Sequence, residues 1–401
     1  MKAAGLVSVF LGIETGSQRV QQRIGKRLDL LNARGVVADC SQRGIRATLS
    51  FIVGLPGELS QETEQTIALA FDLAQPEPSG QVRVQVDSLK AYPGCPVFTN
   101  HKDKVRWRGP SSATWDTVLS ETDSIVRLIR AHPDVFTAHF SISDASVGVE
   151  DPDLIAATAG FLAALCRRSS LMAVALLGIG YVQLICATWQ QAAGTEPLHP
   201  TGMLKPGSMR HHPQMVRRLF QYAGRHTDLV DQVLRIEEKL IALWDAGLCG
   251  SRSGMAASEA DQTFTECGPE AVSCFVPVLD PSAALLTCEM DVDAELKRVL
   301  GDPATTQAPS PTRAHMLLVA QPWRRRVTSR KLQAQWLLLL RMLDGASALG
   351  EIVDRFSEGW GDGPSTAIGA LRDGAVSILQ TLVSEEIVSL REPHCHGGPE
   401  R

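Results

Sequence analysis

The stretch Phe10–Glu58 constrains the chain more than any other. It reads FLGIETGSQRVQQRIGKRLDLLNARGVVADCSQRGIRATLSFIVGLPGE. Twice an apolar run stops at a glycine-rich turn that carries a carboxylate, first at Gly12–Ser17 and again at Gly54–Glu58. Two helical segments lie between the turns. The order is strand, turn, helix, strand, turn, with both polar turns at the carboxyl ends of the strands. Parallel α/β sheets bind their ligands at that edge.

The neighbouring segments extend the pattern. Val7–Ile13 is aliphatic without polar alternation, as a strand buried on both faces is. Ser17 caps a short helix through Arg23 or Ile24. Asp29 opens a second helix, with Leu30, Leu31, Val36, Val37 and Cys40 on its apolar side, and Gly44 stops it. Ile45–Val53 is the next strand. Ser60 is expected to N-cap a helix to Ala74, in which Ile67, Ala70, Phe71 and Ala74 form one stripe. Gln81–Tyr92 reads as a third strand, where Val82, Val84 and Val86 alternate with Arg83, Gln85 and Asp87. Right-handed crossovers make this βαβαβ order parallel. Three strands close no barrel and leave one flank of the sheet uncovered.

Beyond Trp107 the chain turns helical. Ser120–Ala131 and Asp151–Cys166 read as helices, Gly194–Pro213 as a loop rich in Pro, Gly and His, and Gln214–Trp244 as one long helical stretch. Leu171–Trp189 carries no charge and meets the length of a membrane span, about 18 apolar residues. Its soluble-looking flanks favour a buried helix broken near Gly178 and Gly180. Cys249–Thr312 reads as linker. The last segment offers a strand at Met316–Ala320, helices at Ser329–Leu343, Leu349–Phe356 and Ala367–Val383, and a strand at Ile387–Leu390. The expected domains are therefore 1–105, 106–250, 251–312 and 313–392.

Composition sets limits. A net charge of -5 argues against a nucleic-acid binder. Nine scattered cysteines and the lack of a charged, then apolar, leading segment point to the reducing cytoplasm. Cys249, Cys267, Cys274 and Cys288 are spaced too widely and irregularly for a zinc knuckle. His394-Cys395-His396 lies in the tail, and His211-His212 has no evident partner ligand, so no metal site is assigned.

The two turns carry a resemblance. FLGIETGS at Phe10–Ser17, followed by Lys26, and SFIVGLPGE at Ser50–Glu58 are similar to the fourth and fifth strands of radical S-adenosylmethionine (SAM) enzymes, especially the cobalamin-associated branch. YPGCPVF at Tyr92–Phe98 resembles that branch's sixth-strand turn, with Cys95 where serine is usual. The resemblance covers residues 1–105. It implies an α/β fold: the C-terminal half of a partial (β/α) barrel, followed by a helical region and a small winged three-helix domain. It implies SAM, a [4Fe-4S] cluster and, in a full-length parent, cobalamin. Cleavage of SAM to a 5′-deoxyadenosyl radical would modify a peptide or another natural product. Carried over by position, Gly12, Glu14 and Thr15 would meet the ribose or the polar end of SAM. Ser50, Ile52 and Gly54 would line the adenine side, and Tyr92 and Pro93 would lie at the adenine edge. Each has a plainer reading beside it. Glu14 would cap the following helix, Gly54–Gly57 would be a turn with or without a ligand, and Glu58 would be solvated or face a helix dipole.

The family's cluster-binding CxxxCxxC is absent, and no two of the nine cysteines lie closer than seven apart. The Gly-Gly-Glu that holds the SAM amino group is absent too. MKAAG resembles an internal position of the family, so a truncated, split or mis-started gene, or an N-terminal partner, is expected. The chain alone is not expected to cleave SAM. LRMLDG at Leu340–Gly345 and LGEIV at Leu349–Val353 resemble PqqD-like domains, winged modules that grip leader peptides by strand addition. The competing reading is a non-catalytic peptide-binding scaffold, and a third is a membrane-associated protein.

Overall fold

The computed structural model describes residues 2–74, 82–90, 92, 94–107, 123–136, 140–142, 152–193, 211–249, 259–267, 273–302, 312–321, 326–359 and 365–391. They form a mixed α/β protein of two compact units. One comprises Met1–Ile241 with Val292–Pro309, the other Ala242–Asp291 with Ser310–Arg401.

The first unit is built on strands β1 (Ser8–Glu14), β2 (Arg46–Val53) and β3 (Val82–Ser88), paired in parallel in the order β1-β2-β3. Helices α1 (Gln18–Arg23), α2 (Leu30–Gln42) and α3 (Ser60–Leu73) connect them. Ser17 and Asp29 cap α1 and α2 with their side chains, as the sequence reading expects. The N-cap of α3 is Leu59, not Ser60, because the Glu62 carboxylate reaches back to the Leu59 N–H at 2.8 Å. Leu49, Phe51 and Val53 are buried on one face of β2, and α3 packs against β2 and β3. The other face carries Phe10, Thr48, Arg83, Gln85 and Asp87, none of them fully buried, together with Ser50, which is buried. Among the described residues no strand pairs with the outer edge of β1, where Val7 and Phe10 are exposed.

Next come α4 (Pro96–Asn100), β4 (Val105–Trp107), α5 (Asp123–Ala131) and β5 (Phe140–Ile142), with β4 and β5 antiparallel. Cys95 takes over the capping role of the expected serine, its Sγ accepting from Phe98 N–H at 3.3 Å. Helices α6 (Pro152–Leu165), α7 (Arg167–Leu177), α8 (Tyr181–Ala193), α9 (His211–Tyr222) and α10 (Asp228–Cys249) follow. α6 packs along β3, and α8 lies on α3. There the rings of Phe71 and Tyr181 meet tilted by 35°, with centroids 4.6 Å apart. Glu64 accepts from Tyr181 N–H at 2.7 Å and Val182 N–H at 2.9 Å, capping α8 from α3. The apolar stretch Leu171–Trp189 is broken as expected, by Gly178 in a left-handed cap. No single described helix is long and apolar enough to cross a membrane. The long helix expected over Gln214–Trp244 is two, because Gly224 at φ +63° ends α9. α9 also starts at His211, inside the expected loop.

The second unit contains α11 (Glu259–Cys267), β6 (Val276–Leu279) and β7 (Ala283–Cys288). After α12 (Val292–Gly301), which belongs to the first unit, come β8 (Ala314–Gln321), β9 (Arg326–Leu332), α13 (Ala334–Arg341), α14 (Leu349–Glu358), α15 (Ser365–Ser384) and β10 (Val388–Arg391). β7-β8-β9 is an antiparallel sheet, and β6 pairs with β10. Phe264, Leu317, Val319, Leu339, Ile352, Phe356, Leu379 and Ile387 share one core. Two expectations fail here. The expected linker contains α11, β6, β7 and α12, and its short strands gain their pairing from partners further along the chain. Ser329–Leu332, the start of the expected helix Ser329–Leu343, belongs to β9, where the β-branched Val327 and Thr328 lead a strand that pairs with β8.

Candidate functional site

The turn after β1 is held from below. Thr15 is fully buried, its Oγ1 3.0 Å from Thr66 Oγ1 on α3, and the Gly16 N–H donates to the same Thr66 oxygen at 3.0 Å. A Cβ on Gly16 would stand 2.7 Å from the carbonyl carbon of Gln65, so only glycine lets the turn lie this close to α3. Ser17 donates to Glu62 at 2.7 Å, and Arg19 closes on the same carboxylate. The Arg19 hydrogen bond holds the Glu62 carboxyl down at about 2. Thr15 is thus committed to the scaffold.

Glu14 points the other way. It sits at φ +66°, a left-handed conformation that a non-glycine side chain rarely adopts, beside a register shift between Gly12 and Glu14. Its carboxylate pairs with Lys26. A Cβ on Gly12 would stand 2.7 Å from Lys26 Nζ. The ion pair therefore crosses directly over the Gly12 backbone at the carboxyl end of β1. Lys26 belongs to the sequence motif, but sequence reasoning gave it no role. The twelve-residue separation hides the contact.

The turn after β2 is held from both sides. Arg23 donates to the carbonyls of Gly57 at 2.8 Å and Pro56 at 2.7 Å, and Arg19 to Gly57 at 2.9 Å. α1 thereby ties the second turn to the first. Glu58 is not solvated. It is fully buried, and its Oε2 accepts from Gly54 N–H at 2.7 Å and Leu55 N–H at 3.1 Å. Burial pushes its carboxyl up to about 7, against the pull of those two amides. Gly54 has φ +79°, and a Cβ there would lie 2.8 Å from Pro152 Cβ. The space that glycine opens is taken by the first residue of α6, so a ligand is not needed to explain Gly54. Lys90 approaches Asp153 of the same helix at 3.9 Å. Tyr92 is exposed, and Pro93 lies outside the described residues.

Register brings several of these positions together. Gly12 pairs with Ser50, Ser50 with Gln85, and Ile52 with Asp87. Paired residues of neighbouring strands point to the same face, so Gly12, Ser50, Ile52, Gln85 and Asp87 share one patch. Glu14 and Lys26 stand at its upper corner. Gln85 and Asp87 were visible as the polar half of an alternating strand. Only the register shows that they flank Ser50 and Ile52.

The cysteine and histidine readings resolve differently. Cys40, Cys95, Cys166, Cys186, Cys274 and Cys288 are free thiols. Among the described residues no three His, Cys, Asp or Glu side chains converge as a metal site. The residues present do not fit a [4Fe-4S] cluster. His212 is fully buried between Thr188, 2.9 Å from Nδ1, and Ser169, 3.3 Å from Nε2. Thr188 spends its proton on Leu184 O, so the Nδ1–H of His212 donates to it. Burial lowers the imidazole to about 3. Glu237 accepts from Ser169 N–H at 2.9 Å, capping α7 from α10, and burial raises it to about 7.

No family model matches the chain. One curated relative, described as an uncharacterized methyltransferase of Pyrococcus horikoshii, is 37% identical over 73 residues. That segment is 18% of this chain, and the chain spans 16% of the relative's length.

Proposed function

We propose that this chain supplies the SAM-binding C-terminal half of a radical SAM enzyme, one whose cluster-bearing half lies outside residues 1–401. The carrying observation is the Glu14–Lys26 pair over Gly12 at the carboxyl end of a parallel sheet. A carboxylate and an ammonium side by side suit a zwitterionic ligand with hydroxyl groups: Glu14 accepts from hydroxyls or an ammonium, and Lys26 donates to a carboxylate. The local likeness to a methyltransferase supports SAM as that ligand. The parallel three-stranded sheet with an open β1 edge supports half of a partial barrel, completed where Val7 and Phe10 stand exposed. The cluster would perform the reductive cleavage, and cobalamin would belong to the full-length parent. This chain's own part is to bind and orient SAM at strand ends that α1 and Glu58 make rigid. The free thiols of Cys40, Cys95, Cys166, Cys186, Cys274 and Cys288 suit a reducing, cytoplasmic setting.

In the second unit, the sheet β7-β8-β9 followed by α13, α14 and α15 supports a winged, PqqD-like module. Its partner would be a leader peptide of a ribosomally made substrate, added as a strand. The test is reconstitution. The chain alone is expected to bind SAM and leave it intact. Anaerobic addition of a separately expressed half-core carrying CxxxCxxC is expected to start release of 5′-deoxyadenosine. Peptide binding by the second unit with no SAM binding by the first would instead make the chain a peptide-binding scaffold.

A further inference from the structure

Gln21 lies on α1 between the two parts of the motif and has no role in either, yet its side chain is fully buried. Its Nε2 donates to the carbonyls of Ile13 at 2.5 Å and Thr15 at 3.0 Å. Carbonyls only accept, so the amide nitrogen must face them and the amide cannot be turned over. Both of its N–H groups are thus used on the residues either side of Glu14. The Thr15 N–H also donates to the Ile13 carbonyl at 2.9 Å, which closes a three-residue turn on Glu14. With φ +66° at its centre, that is the rare, strained form of the γ-turn. Such a conformation persists only where its surroundings fix it.

Gln21 also holds the other member of the charged pair. Its backbone carbonyl accepts from the Lys26 N–H at 3.1 Å, past the end of α1. Glu14 and Lys26 therefore share one anchor. The Gln21 Oε1 is buried and has no hydrogen-bond partner among the described residues. Burying that oxygen unpaired destabilises the fold, so the two donated bonds explain the amide and packing does not.

We propose that Gln21 is a positioning residue: it holds the strained turn that sets the Glu14 carboxylate beside Lys26 and over Gly12, without touching the ligand itself. The inference rests on the SAM-site reading above and names what orients its charged pair.

The test is equilibrium binding of radiolabelled SAM to the full chain, run as a double-mutant cycle between positions 21 and 14. Gln21→Met keeps the side-chain length and removes both donors. It is expected to weaken binding about tenfold in the wild-type background. In the Glu14→Gln background, where no carboxylate is left to place, the further loss is expected to stay within about twofold. Gln21→Asn draws the donors back by one methylene and is expected to match Gln21→Met. Equal losses in the two backgrounds would overturn the inference, because a general loosening of the fold does not depend on Glu14. Undiminished binding by Gln21→Met, where Glu14→Gln binds weakly, would overturn it too and leave the site reading standing. If neither position-21 variant folds, Gln21 is a requirement of the fold and the inference falls. No binding of SAM by the wild type would overturn the site reading, and this inference with it.

Discussion

Glu58 carries one of the sharpest expectations at the scale of single residues. Its folded pKa, about 7, lies above the ordinary carboxyl value of 4.5. The folded state therefore holds the proton more tightly than the unfolded one. The stabilisation is fully present below about pH 4.5 and is lost as pH rises through about 7. Urea denaturation of wild type and Glu58→Gln at pH 5 and pH 7 should show the wild type losing stability over that window while the variant changes less. Equal slopes would mean that the carboxyl is ionised throughout. Gly16 is constrained by geometry alone. Gly16→Ala puts a methyl 2.9 Å from Thr66 Cα, against backbone that cannot swing away, and should cost about 2–4 kcal/mol. A midpoint within about 0.5 kcal/mol of wild type would show that the turn has room to move. Cys95 offers the opposite sign. Sulfur is a weak acceptor, so Cys95→Ser should strengthen the α4 cap and raise stability by about 0.5 kcal/mol.

The helices of the first unit meet around His212, and pH dependence belongs at this scale because four elements share the group. α9 supplies the ring, α7 Ser169 and α8 Thr188, and Glu237 of α10 reaches Ser169, with Arg168 and the N-cap Cys166 beside that carboxylate. The folded pKa of His212, about 3, lies below its ordinary 6.5. Its contribution is present above about pH 6.5 and is lost as pH falls toward 3, the reverse of Glu58 and Glu237. Thermal melts of wild type and His212→Gln should diverge below pH 6, the wild type falling faster. Parallel curves would contradict a buried neutral imidazole. None of this was legible in the sequence, where His211-His212 sat in an apparent loop rich in Pro and Gly. The elements that were legible had local signals: Ser17 and Asp29 as caps, Gly44 as a stop, Gly178 as a break. Those that were not depend on distant partners. β6 pairs with β10 more than a hundred residues away, and β9 reads as helix until β8 is set beside it. The site divides the same way. Glu14 and Gly54 were marked by their turns, whereas Lys26, Gln85, Asp87 and Pro152 enter only through register and packing.

At the scale of the whole molecule, the first unit shows a parallel sheet whose β1 edge is unpaired among the described residues, two turns tied together by α1, and a charged pair at the strand ends; under the proposed function these make a half-site that needs a complement. The apolar run Val9–Ile13 of β1 suits an interior strand, yet Phe10 in the strand and Val7 just before it are exposed. Joining a complementary half should bury them and raise the melting temperature of the mixture above that of the chain alone. The most direct measurement is equilibrium binding of radiolabelled SAM to the full chain and to Glu14→Gln and Lys26→Met. Saturable binding at one site, weakened at least about tenfold in each variant, is the predicted result. No saturable binding, or binding that both variants leave unchanged, would contradict the assignment of the β1 turn as a SAM site.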